Sequence, residues 1–75
     1  MLRRNPVLLA FGLNVRRIRE SEDLTQEKLA EKSSLDQTYI SGIERGVRNP
    51  SVLTIVRLAK GLDVSASELF AGLRA

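Results

Sequence analysis

The chain has 75 residues, enough for one small domain and too few for two independent cores. Twelve Lys and Arg against nine Asp and Glu leave a net charge of +3, and there is no Cys and no His. Those two absences exclude disulfides and thiolate metal sites and remove the commonest general base, the usual zinc ligand and every Ser-His or Cys-His pair, so neither an enzyme nor a bound metal or cofactor is expected.

Met1 to Arg4 reads as a short, mobile basic arm, and Asn5 before Pro6 is a helix start, because Asn can cap free amides and Pro suits the first helical position. Val7 or Leu8, then Phe11, Val15 and Ile18, recur at spacings of three and four and turn one face of a first helix to the core. The longest apolar run, Val7 to Phe11, is far short of the roughly 20 residues of a membrane span, so a soluble, cytoplasmic protein is expected. The period is lost over Ser21 to Leu24. Thr25 is the expected cap of a second helix, about Gln26 to Ser33, although Lys28 stands where a full capping box has Glu or Gln. That helix buries Leu29 and Ala30, with Ala30 small enough for close approach by a neighbour.

Ser33-Ser34-Leu35 is a turn, and Asp36 caps a third helix over about Gln37 to Arg45 that directs Ile40 and Ile43 inward. Gly46 sits where a left-handed glycine ends a helix. Beyond Val47-Arg48-Asn49-Pro50, Ser51 opens a fourth helix with the stripe Ile55, Leu58, Ala59 and Leu62. Asp63-Val64 breaks it. Ser65 with Glu68 then forms a complete capping-box pattern for a fifth helix carrying Leu69, Phe70 and Leu73. No stretch alternates with period two, so the chain is expected to be all-α, one compact five-helix domain over residues 1–75.

Leu24-Thr25-Gln26-Glu27-Lys28-Leu29-Ala30, Tyr39-Ile40-Ser41-Gly42-Ile43-Glu44-Arg45-Gly46 and Arg48-Asn49-Pro50-Ser51 together resemble the helix-turn-helix of Cro and phage repressors, the XRE family. Within it, the wording resembles the controller proteins of restriction-modification systems. The resemblance runs from about Leu13 to Phe70. It implies a lambda-repressor-like fold with the helix-turn-helix at about 25–45. Two positions depart from the pattern. Ser34 replaces the usual turn glycine and must accept a positive φ. Gly42 replaces a long polar residue, which removes one base reader and opens the way to a closer approach to the groove.

In a major groove, sequence is read by residues near the start of the inserted helix. Gln37, Thr38 and Ser41 take those outward positions, and the resemblance gives them the same role. Gln26 at the start of the second helix, with Arg17, Tyr39, Arg45, Arg48 and Asn49, is the candidate phosphate-binding set, fixing register without reading bases. Asp36 is assigned to capping despite its charge. The family pattern pairs Glu44 with Arg19.

Leu53 and Val56 lie off the fourth helix's core stripe, and with Phe70 and Leu73 they suggest an apolar patch serving a homodimer interface. A core this small rarely supplies more than roughly 3–5 kcal/mol, so a second copy is also a natural source of stability. The expected function is a transcriptional regulator that binds a near-palindromic operator in double-stranded DNA as a homodimer, with a restriction-modification controller as its leading form. The alternative is an antitoxin that uses the patch to bind a toxin and represses its own operon. RNA polymerase is a further candidate partner, and a membrane is not.

Overall fold

In a computed structural model of the protein, residues 5–74 are described. They form five helices: α1 (Pro6–Ser21), α2 (Gln26–Ser33), α3 (Gln37–Glu44), α4 (Val52–Leu62) and α5 (Ala66–Leu69). The basic arm expected at Met1 to Arg4 lies outside the described residues. Among those described there is no strand, and no helix is long and apolar enough to cross a membrane.

Each helix begins where a side chain can take up amides that have no partner within the helix. Asn5 Oδ1 accepts from Val7 N at 2.9 Å and Leu8 N at 3.2 Å, with Pro6 in the first turn. Thr25 Oγ1 accepts from Lys28 N at 3.0 Å, Asp36 Oδ1 from Thr38 N at 2.7 Å and Ser51 Oγ from Thr54 N at 3.1 Å. Asp36 is therefore fully accounted for as a cap. At α5, Glu68 Oε2 accepts from Ser65 N at 3.0 Å, the reach-back half of the capping box.

Helix ends use the left-handed region. Ser34 closes α2 at φ 58° and Asp63 closes α4 at φ 57°, each without the freedom of glycine, while Gly46 takes φ 76° after α3. Ser34 thus accepts the conformation that its place in the inter-helix turn demands, at a cost of order 1 kcal/mol relative to glycine.

The core gathers one face of every helix: Phe11 and Val15 from α1, Leu29 from α2, Ile40 and Ile43 from α3, Leu58 and Leu62 from α4, and Leu69 from α5. Close helix contacts fall at glycines. A Cβ on Gly12 would collide with the carbonyl oxygens of Ile43 and Glu44, so α1 lies directly against the end of α3. The close approach expected over Ala30 falls instead on the facing helix, where a Cβ on Gly61 would lie 3.1 Å from Leu29 Cδ1 and Ser33 Cβ. Ala30 itself is only partly buried against the core.

One long-range clamp fixes α5. Asn14 is buried on α1, and its Nδ2 donates to Leu69 O and Ala71 O, both at 2.9 Å. The last turn of the chain is thereby tied to the first helix. Phe70 adds an aromatic contact with Phe11, ring centroids 5.4 Å apart.

Candidate nucleic-acid interface

Helix α3 has two faces of opposite character. Ile40 and Ile43 are fully inside, and Glu44 is buried with them. Gln37 and Thr38 are exposed, and Ser41 is partly so. At about 100° per residue, Gln37, Ser41, Arg45 and Thr38 fall in one continuous arc of the helix, with exposed Arg45 extending it toward the C-terminus.

A polar network centred on the buried carboxylate of Glu44 backs this face. Arg19 Nε and Nη2 donate to the two carboxylate oxygens of Glu44 at 2.7 and 3.0 Å, a bidentate pair, and Arg19 Nη1 donates to Leu24 O at 2.8 Å. The side chains are 11% and 3% exposed, so this pair is not the loose surface kind. The hydrogen bond to Glu44 raises the Arg19 pKa above its usual value, with burial pulling the other way. Gln26 Nε2 completes the network by donating to Glu44 Oε1 at 3.0 Å.

That contact narrows the role expected of Gln26. One N–H of its carboxamide is committed to Glu44, so the side chain ties the start of α2 to the end of α3, and the amides of the helix start offer the more open contact for an anion. No local pattern in the sequence signals this turn of the side chain.

Gly42 also differs from expectation. It is buried rather than open to a groove, because the side chain of Arg48 lies across it. The Arg48 guanidinium stands 5.9 Å from the centre of the Tyr39 ring, within cation–π range. Tyr39 is half-buried and packs on the core, while Arg48 and Asn49 are exposed in the following loop. Arg17 is exposed on α1, and its Nη2 reaches Asn14 Oδ1 at 3.5 Å.

A helix-turn-helix with a fixed inner face and a free polar outer face is the arrangement that enters a DNA groove. Comparison with known proteins identifies the same unit. The Helix-turn-helix family matches residues 15–69. The chain belongs to this helix-turn-helix family. It is 40% identical over 67 residues to the control protein C.MunI of a Mycoplasma species, covering 88% of this chain and 90% of that protein. Among solved structures, the restriction-modification controller protein C.AhdI from Aeromonas hydrophila superposes with a TM-score of 0.83 at 46% identity, covering 84% of this chain and 96% of that one. The controller protein C.Esp1396I, bound to a 19 base pair DNA duplex, superposes at 0.82 with 42% identity over 88% of each chain. C.Esp1396I has also been seen as a tetramer on its natural 35 base-pair operator.

The apolar residues singled out for pairing separate into two kinds. Leu53 at 61% and Val56 at 52% are exposed on α4, joined by Val52 at 78%, which sequence spacing did not single out. Leu73 is half-buried and packs against the core, so much of its surface is already spent inside the molecule. Phe70 does both, its ring packing at a tilt against Phe11 while remaining 45% exposed. Phe70 and Leu73 border an apolar cleft of about 130 Å³ with Val7, Leu8, Pro50 and Ile55.

Proposed function

We propose that this helix-turn-helix protein is a sequence-specific transcriptional regulator of the restriction-modification controller type, acting in the cytoplasm as a homodimer on a near-palindromic operator. Helix α3 lies in the major groove, where Gln37, Thr38 and Ser41 meet base edges. Gln can pair bidentately with adenine, and Thr brings a methyl for thymine together with a hydroxyl. Arg45, Arg48, Asn49 and Tyr39, with the start of α2 and more distantly Arg17, hold the flanking phosphates. No catalytic step is assigned to any of these residues.

The observation that carries the reading is the outer arc of α3: polar, open to solvent, and backed by the partly buried Arg19–Glu44–Gln26 network. Its dimeric form rests on the exposed Val52, Leu53 and Val56 of α4, together with the half-exposed Phe70. One copy measures 31 Å in its longest dimension and carries one reading helix, whereas successive major grooves on one DNA face are roughly 34–36 Å apart. Two copies related by a twofold axis meet that spacing and make the half-sites inverted repeats.

Selection of bound duplexes from a random-sequence pool, with the protein stoichiometry of the shifted complex measured, tests this. The expected product is a twofold-symmetric sequence bound by two copies. Recovery of no preferred sequence, or of an asymmetric site bound by one copy, would overturn it.

A further inference from the structure

We infer that Gly42 is a positioning residue for DNA recognition: the slot left by its missing side chain seats the stem of Arg48 and holds that guanidinium against Tyr39 at the edge of the reading face. The inference rests on the DNA-binding reading above. It gives a function to a residue that the helix would otherwise be better without, since glycine is the poorest helix former after proline.

Three observations meet at this point. A Cβ built on Gly42 would have as its three nearest neighbours Arg48 Cγ at 2.6 Å, Nε at 3.4 Å and Cδ at 3.6 Å, so Arg48 is what a side chain here would meet first. Val47 N donates to Gly42 O at 3.0 Å, which fastens the loop to α3 at the same residue and brings the Arg48 backbone alongside the slot. The guanidinium then reaches the Tyr39 ring at 5.9 Å. Around the helix, Gly42 lies about 40° from Thr38, four residues earlier, so the seated arginine borders the base-reading arc.

The consequence is entropic. A free arginine loses rotamer freedom when it grips DNA, and that loss subtracts from affinity. A stem already seated over Gly42 and a guanidinium already held within cation–π range of Tyr39 have given up part of that freedom in the unbound protein. Arg48 is nonetheless exposed, so its donors stay available to DNA. A Cβ at position 42 would stand 2.6 Å from Arg48 Cγ, so the exposed arginine must turn about its first side-chain torsion to clear it.

Gly42→Ala is the test, read in three ways. In the free protein, the ring-current shift that Tyr39 imposes on the Arg48 δ-methylene protons disappears from the NMR spectrum. The thermal midpoint holds or rises, while affinity for the duplex that the wild-type protein selects from a random pool falls by roughly 3- to 10-fold. In an Arg48→Ala background the same change costs no further affinity. A retained ring-current shift, an undiminished affinity, or an equal loss in both backgrounds would each overturn the inference. Should Gly42→Ala impair folding, the Gly42→Ala, Arg48→Ala double variant must restore the wild-type midpoint; if it does not, something other than Arg48 fills the slot. A wild-type protein that binds no duplex sinks the regulator reading and the role in binding together, and the NMR shift still reports separately on whether the slot holds Arg48.

Discussion

Helices α3 and α4 each keep one face in the core and one face open, but the open faces differ in character. That of α3 is polar: Gln37, Thr38 and Ser41, with Arg45 following. That of α4 is apolar in its first turns, with Val52, Leu53 and Val56, and turns basic toward its end with Arg57 and Lys60. A polar face gives up water only to a partner that replaces its hydrogen bonds, whereas an apolar face gains simply by losing water. The first is suited to base edges and the second to a copy of itself. Their backing differs as well, because α3 is fixed from behind by a largely buried ion pair and α4 mainly by hydrocarbon packing, with Thr54 and Ser33 as the buried polar side chains nearby.

Breaking the polar backing has the largest expected effect. Glu44→Ala strands the Arg19 guanidinium and leaves Gln26 without its acceptor, and removing one partner of a buried pair costs about 3–5 kcal/mol. Urea unfolding should register a loss comparable to the whole stability of so small a domain. A loss below about 1 kcal/mol would mean that the pair behaves like an exposed one.

Breaking the apolar face acts on assembly. Leu53→Asp places a carboxylate in the exposed apolar first turn of α4 and should leave the fold intact while the protein sediments as a monomer. Operator affinity should then fall by roughly 100-fold or more, because the second half-site no longer profits from the first being held. A monomer that retains full affinity would show that α4 is not the pairing surface.

The smallest effect sharpens the contrast within the reading region itself. Gln37→Ala should relax preference at one base pair in each half-site, worth about 1–3 kcal/mol of discrimination. Arg48→Ala, by contrast, should weaken binding to all sequences alike and reduce the salt slope by about one unit per protomer. Both are measured by titrating operator and random duplex at several salt concentrations. Equal effects of the two changes on both duplexes would remove α3 from the role of reader.

The elements themselves were legible because their signals are local. Asn5-Pro6, Thr25, Asp36, Ser51 and the Ser65, Glu68 pair each mark a helix start within a few residues, and the apolar spacing of Phe11, Val15, Ile40, Ile43, Leu58 and Leu62 gives the inward faces. Contacts that join distant parts of the chain were not legible. Nothing near Asn14 indicates that its amide ends on carbonyls 55 and 57 residues away. Likewise Gln26 looks the same in sequence whether it faces a phosphate or Glu44, and the filling of Gly42 by Arg48 depends on how a loop folds back. The Arg19 and Glu44 partnership came from family likeness, since two charges 25 residues apart carry no pattern of their own.

The Asn14 clamp bears on how strictly the protein measures its target. If paired copies meet through α4 and the chain beyond it, the pitch between the two inserted helices is transmitted through the joint that this one carboxamide bolts shut. A stiff joint makes the protein a fixed caliper, matched to one separation of half-sites and intolerant of an extra base pair between them. The register of an operator would then be enforced by a hydrogen bond between the first helix and the last.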